Sequence, residues 1–579
     1  MNHEMTEAAA VAGHVSAHVD RYVSDHLPPR GDWPELCFDL PALNYPPRLN
    51  CAVELLDRMV AAGHGDRVAL RSLEASWSYR ELLLHSNRIA RVLRDELGLL
   101  PGNRVLLRGY NSPLLAACWL AVLKAGGIVV TSMPLLRARE LRQMITKARI
   151  DFALCDVRLL DELMQAGRQT TELKRVLHYR ADSFDMPGSS DSSDSPDSLD
   201  LLLARAVAGD HDGFDNVATS AEDPALIAFT SGTTGIPKAS VHFHRDVLAI
   251  CDTFPAAMLQ PVPEDVFCGT SPLAFTYGLG GMLCFPLRYG ASSLLLERPT
   301  PALMLQAMVQ QRASICFSVP TFWRQLAVLV ETGEHDLSHL RHCVSAGEPL
   351  PEATRAAWRR AAGKEIIDGL GSTELLHIFI SHTAASLRRG AIGHAVPGYR
   401  LCVMGDRGQP LPAGQLGRLA VKGPTGCRYL DDERQRSYVD VDAGAGQGWN
   451  LTGDTGILDA DGYFHFHARS DDMIVSAGYN IAGPEVEAAL LQHPAVFECG
   501  VVGIPDAERG HIVKAFVVLH PGHAPGPLLA AQLQAHAKQR IAPYKYPREI
   551  EFVSELPRTE TSKLQRFRLR ERGDHEPSR

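Results

Sequence analysis

The sequence predicts an α/β protein (α+β overall). It has a large N-terminal domain of several helix-flanked sheets and a small mobile C-terminal α+β domain. Three observations carry this. Between residues 66 and 135, apolar runs of strand length alternate with helical stretches, the pattern of a parallel sheet with crossover helices. The chain has 579 residues, more than the roughly 100 to 200 of an ordinary domain. Near residue 470 the pattern changes: Arg469, Ser470, Asp471 and Asp472 form a charged cluster between two apolar strands, and boundaries favour such exposed polar stretches. The divisions expected are 1–45 (N-terminal extension), 46–470 (large domain) and 471–579 (small domain).

Each element has a local reason. Ser78 and Glu81 have the spacing of a capping box, and an amphipathic helix is expected from 79 to about 97. Pro101, Gly102 and Asn103 make a turn, 104–108 reads as a strand, 112–125 as a helix and 128–133 as a second buried strand. The stretch 114–133 is the most apolar, but Lys124, Gly126 and Gly127 interrupt it. A spanning helix needs about 20 largely apolar residues, so no membrane insertion is expected. The polar N-terminus lacks the apolar centre of a signal peptide. Residues 187–199 are rich in Ser, Asp and Pro and read as a surface loop.

The formal net charge of −9 argues against a nucleic-acid partner, which would select a basic face. None of the 12 cysteines falls in a CxxC pattern; reduced, buried thiols in the cytoplasm are expected. His242 with His244, and His465 with His467, are spaced to share one face of a strand, but neither pair has a third metal ligand in view.

The sharpest feature is the run from Ala228 to Lys238, AFTSGTTGIPK. A strand at 225–229 enters a loop of Ser, Thr and Gly. Glycine lets the backbone turn and present its N–H groups, hydroxyls add donors and Lys238 adds charge, which together cradle phosphate oxygens. It is not a Walker A loop, because GxxxxGK[ST] does not match.

This run resembles the signature loop of the adenylate-forming superfamily, and further segments follow in that family's order across roughly residues 50–570. The resemblance assigns Thr230, Ser231, Gly232, Thr233, Thr234 and Lys238 to the phosphates of ATP. Ser345, Ala346, Gly347 and Glu348, with Asp368, Gly369, Leu370, Gly371 and Ser372, lie along the nucleotide. Thr373 falls on the α-phosphate and Glu374 on Mg²⁺. Asp454 and Arg469 take the ribose, Asp471 is the hinge, and Lys563 in PRTETSK is the lysine that drives adenylation. Ala477 and Gly478 line the passage for the thiol of CoA, and Phe275 in SPLAFTYG gates the acyl pocket.

The chemistry so implied has two steps. A carboxylate attacks the α-phosphorus of ATP and expels pyrophosphate; a thiol then attacks the acyl adenylate and AMP leaves. Both first-step reactants are anions, so catalysis asks for positive charge and positioning rather than a protein nucleophile. Lys563 and Mg²⁺ on Glu374 supply charge, and Asp454 can accept from two ribose hydroxyls.

Some positions depart from the family: Ala239 follows the loop lysine where glycine is frequent, Leu370 stands where an aromatic stacks on adenine, and Ser562 precedes Lys563 in place of glycine. None removes a charged catalytic group. IDGLGSTELLHIF and LAFTYGLGG are similar to the benzoate-CoA ligase branch, and KASVHFHRD and GPTGCRYL to 2-aminobenzoate (anthranilate) CoA ligases. Phe243, His244, Phe275, Tyr277, Gly278 and His377 are the expected acyl pocket. The substrate expected is a small aromatic carboxylate, anthranilate first and benzoate second, in a monomer or homodimer. A carrier protein is the alternative acceptor to CoA.

Overall fold

The computed structural model describes residues 15–180, 197–200, 202–203, 213–230, 237–440, 448–469, 472–476, 479–506, 509–558 and 564–574. Its first sheet has six strands in the spatial order Arg175–Tyr179, Phe152–Asp156, Arg104–Arg108, Ile128–Ser132, Pro224–Thr230 and Lys238–Phe243. The first five are parallel and the last pair antiparallel. A nine-stranded sheet has six parallel strands at its centre, including Ile315–Ser318, His342–Ala346 and Ile366–Gly371, with antiparallel strands at both ends.

The helix Pro113–Lys124 has every residue after Pro113 buried. Its side chains join one core with residues of both sheets, such as Val105 and Phe267. A helix apolar all round fits only such an interior position. The ammonium of Lys124 is buried there too, and both oxygens of Asp57 lie 2.5 Å away; pairing offsets the desolvation of such a charge. The expected capping box is present: Ser78 Oγ accepts from Glu81 N–H at 3.2 Å and Glu81 accepts from Ser78 N–H at 2.7 Å. The helix Tyr79–Arg91 continues as a wider turn over Val92–Glu96.

A five-stranded sheet, antiparallel at each pairing, ends at Arg469. The next described strands are the hairpin Met473–Ser476 and Tyr479–Ala482. The C-terminal unit packs the helices Gly483–Leu490, Pro527–Arg540 and Arg566–Asp574 around a sheet of Val496–Asp506, Gly510–Leu519 and Glu549–Phe552. The hinge expected at Asp471 lies outside the described residues.

All 12 cysteines are free, 11 of them buried and Cys402 half-buried. Among the described residues no helix is long and apolar enough to cross a membrane. The expectation that His242 and His244 share a strand face is corrected: His242 lies in Lys238–Phe243, whereas His244 begins the helix His244–Asp252.

Candidate active site

In open parallel sheets, ligands bind beyond the carboxyl ends of the strands, and Thr230, Ala346 and Gly371 stand at such ends. Thr230 ends its strand opposite Lys238. Ser231, Gly232, Thr233 and Thr234 lie between them, outside the described residues. The Thr230 hydroxyl is buried with no hydrogen-bond partner among the described residues. Lys238 Nζ is 3.7 Å from Glu374 Oε1 and lies over the rings of Tyr429 (4.9 Å) and Tyr438 (5.8 Å).

The Tyr429 hydroxyl donates to the same Glu374 oxygen at 2.5 Å. Burial, with the charge of Glu374 beside it, pushes the Tyr429 phenol far up, so this hydroxyl stays protonated and is the donor. Ser372 Oγ accepts from Leu375 N–H and pairs with the Tyr438 hydroxyl, both at 3.2 Å. Thr373 and Glu374 therefore sit in a tight turn, closed by Leu376 at φ +70°, and Glu374 does not start a helix. Sequence reasoning missed Tyr429, Tyr438 and Arg355. The run GPTGCRYL, which contains Tyr429, was informative only as a family likeness.

Ser345 and Ala346 are buried at the end of their strand. Gly347, at φ +92°, turns the chain out of the sheet in a conformation that suits glycine. Glu348 follows and is met from the C-terminal unit: the Leu564 N–H donates to its Oε1 at 2.7 Å and Arg558 Nη1 at 3.4 Å. Asp368 is buried, and desolvation pushes its carboxyl up to about 6 against the opposing charge of Arg355, 4.0 Å away. Gly369, Leu370 and Gly371 continue that strand. Asp454 faces Arg469 across the five-stranded sheet, with Nη1 at 3.3 Å from its Oδ1. Burial raises the Asp454 carboxyl and Arg469 opposes the rise.

The acyl-pocket segment is pinned by side chains remote in sequence. Asn111 donates to the Ser271 carbonyl at 3.2 Å and accepts from Leu273 N–H at 2.8 Å, and Thr131 Oγ1 donates to the Ala274 carbonyl at 2.8 Å. Phe275 is half-buried and precedes the short helix Thr276–Leu279. The Tyr277 hydroxyl reaches the carbonyls of Ser318 (3.1 Å) and Val344 (3.2 Å), tying this helix to the end of one strand and the middle of its neighbour. A Cβ on Gly278 would stand 2.2 Å from the Pro272 carbonyl oxygen, so no side chain fits.

His377 is buried, with its ring centroid 5.6 Å from Tyr277, 4.6 Å from Phe285 and 5.7 Å from Phe254. Its Nε2 is 3.3 Å from the Tyr277 carbonyl, and Nδ1 has no hydrogen-bond partner among the described residues. Desolvation holds the ring down to about 3, so it is neutral. Two expected pocket residues are corrected. Phe243 is buried in a separate core with the Arg428 guanidinium 4.1 Å over its ring. His244 Nδ1 meets Cys51, 3.2 Å from both N and Sγ. Both are packing residues, because the strand ends at Phe243 and the chain turns into a helix.

Lys563, Ala477 and Gly478 lie outside the described residues. Among the described residues no group of three or more His, Cys, Asp or Glu could hold a metal alone. A single buried carboxylate suits Mg²⁺, which takes most ligands from phosphate and water.

Residues 58–428 match the family described as "AMP-binding enzyme", and 485–563 match its C-terminal domain. The benzoate–CoA ligase of Thauera aromatica is 34% identical over 532 residues, 92% of this chain and 97% of that protein. The 4-hydroxybenzoate–CoA/benzoate–CoA ligase of Rhodopseudomonas palustris is 31% identical over 90% of this chain and 94% of its own length. Among solved structures, the anthranilate CoA ligase AuaEII in complex with anthranoyl-AMP superposes with a TM-score of 0.84 at 31% identity, covering 92% of this chain and 99% of that one. A benzoate CoA ligase from Burkholderia xenovorans LB400 gives 0.78 at 30% identity, over 90% and 99%.

Proposed function

The chain belongs to the AMP-binding enzyme family, and from that premise we propose that it is a CoA ligase whose preferred acid is 2-aminobenzoate. It is an acid–thiol ligase of the aryl-CoA type, using ATP and CoA. The preference for the amino acid over plain benzoate, the residue roles and a cytoplasmic location are our reading.

In this reading the aryl carboxylate oxygen forms a bond to the α-phosphorus while the bond to pyrophosphate breaks. The CoA sulfur then forms the thioester, and the bond from the acyl carbon to AMP breaks. The loop from Thr230 to Thr234 and Lys238 hold the phosphates, Thr373 the α-phosphate, and Asp454 with Arg469 the ribose. Bound Mg²⁺, held by Glu374, supplies neutralising charge at the phosphates. Lys563 bridges the two anions in the first step. Asp471 is the pivot, and Ala477 and Gly478 line the thiol's path.

The observation that carries the choice of acid is His377. A carbonyl only accepts, so Nε2, facing the Tyr277 carbonyl at 3.3 Å, carries the proton. The neutral ring therefore leaves Nδ1 as a bare acceptor. An unmatched buried acceptor costs about 1–3 kcal/mol. An ortho amino group offers the missing donor; benzoate offers none. Benzoate is the second reading, favoured by the names of the 34% and 31% identical relatives.

Pyrophosphate release with ATP, Mg²⁺ and CoA across anthranilate, benzoate, salicylate, phenylacetate and octanoate is the test. Anthranilate should lead. His377→Phe should lower its kcat/KM relative to benzoate by about tenfold, the size of one buried hydrogen bond. An unchanged ratio would remove His377 from the argument, and a preference for octanoate would remove the aryl reading.

A further inference from the structure

The contacts around Glu348 join the two units of the chain. Glu348 belongs to the large unit, on the turn after His342–Ala346. Its Oε1 accepts from the backbone N–H of Leu564 at 2.7 Å and from Arg558 Nη1 at 3.4 Å. Arg558 and Leu564 are themselves antiparallel bridge partners, so they are the two closing ends of the stretch that contains Lys563. One carboxylate oxygen thus holds both ends of the lysine segment to the edge of the nucleotide site.

Two further contacts brace this clasp. The other Arg558 nitrogen, Nη2, donates to Glu498 at 2.7 Å within the C-terminal unit, which fixes the guanidinium's direction. Arg324, on the helix Pro320–Glu331 of the large unit, donates to the carbonyl of Phe497, the residue before Glu498, and lies 5.5 Å from its ring. These side chains line a cleft of about 490 Å³ between the units. The clasp is polar and partly open to water. Charge-assisted hydrogen bonds are the stronger kind, enough here to bias an orientation and few enough to release it.

We propose that Glu348 is a positioning residue that clasps Arg558 and the Leu564 amide, and so sets Lys563 for adenylate formation but not for thioester formation. This rests on the ligase reading above. It assigns Glu348 a role beyond lying along the nucleotide and makes Arg558 its partner. Gly347 swings Glu348 out from the strand that carries Ser345 and Ala346, so the clasp stands at the edge of the proposed nucleotide site.

The experiment uses the full chain and three variants, Arg558→Glu, Arg558→Lys and Glu348→Gln, with two readouts. The first compares the half-reactions: pyrophosphate release from ATP, and thioester formation from supplied synthetic anthranoyl-AMP and CoA. Arg558→Glu should slow the first by about tenfold or more, the equivalent of one charge-assisted hydrogen bond, and leave the second within about twofold. Arg558→Lys should retain most of the first. The second readout is hydrogen exchange at the Leu564 amide, which should quicken in Arg558→Glu and Glu348→Gln. Equal slowing of both half-reactions, or unchanged exchange at Leu564 in both variants, overturns the proposal. If the wild type makes no adenylate from any aryl acid, the ligase reading fails, and the exchange data alone decide whether the clasp exists.

Discussion

Glu374 Oε1 receives both the Tyr429 hydroxyl, at 2.5 Å, and the charge of Lys238, at 3.7 Å, so one oxygen is fixed by the protein. The proposed Mg²⁺ role falls on this same carboxylate. Removing the tyrosine donor frees the carboxylate to rotate. Tyr429→Phe should lower pyrophosphate release by about tenfold and raise the Mg²⁺ concentration for half-maximal rate, since a hydrogen bond to a charged group is worth about 1.5–3 kcal/mol. A magnesium titration checks it; an unaltered curve would show that Glu374 needs no such partner. Glu374 and Lys238 were legible in the sequence because each sits in a dense local motif. Tyr429 was not, because it is 55 residues from Glu374 and arrives through pairing of its segment with Lys238–Phe243. The same long-range packing misled the reading of Phe243 and His244. Their neighbours Arg428 and Cys51 lie far off in the chain, and no local pattern announces them.

At the scale of elements, caps and periodicity were good guides. Ser78 and Glu81 gave the start of Tyr79–Arg91, and the unbroken apolar run gave the buried helix Pro113–Lys124. Ser78→Ala should cost about 1 kcal/mol, the usual loss for an N-cap, read as a lower urea midpoint with unchanged slope. No shift would mean that the rest of the helix holds its first turn. Strand pairing was less legible. Val68–Arg71 joins its sheet beside Ser292–Leu294, with Leu70 opposite Ser293, and nothing local in either strand names the other. Strand existence follows from alternation; strand order follows from which apolar faces the crossover helices leave to be covered. The acyl-pocket helix shows both sides of this. Its glycines were visible, but the need for Gly278 came only with the Pro272 carbonyl at 2.2 Å from a would-be Cβ.

For the whole molecule, the decisive feature is which part of the C-terminal unit faces the site. The ends of the Lys563 segment are held to Glu348, whereas the hairpin that precedes it in sequence packs Ile474 and Ile481 inward and leaves Val475 49% and Tyr479 54% exposed. One small unit presenting two different segments cannot place both at one site together. In the proposed reading this is the orientation for adenylate formation, and the unit would turn for thioester formation. The sequence predicted both segments and a pivot between the domains, but it could not say which segment docks, because that depends on a few polar contacts across a cleft. The consequence is a division of labour that one substitution can expose. Lys563→Ala removes the cation expected between two anionic reactants, where a preorganised charge contributes several kcal/mol. Pyrophosphate release should fall by about a hundredfold or more. Thioester formation from supplied anthranoyl-AMP and CoA should persist, since the proposed turn takes the lysine away from the site. Rapid-quench assays of the two half-reactions read these rates separately. Equal loss in both would place Lys563 in the site throughout and remove the reason for the unit to turn.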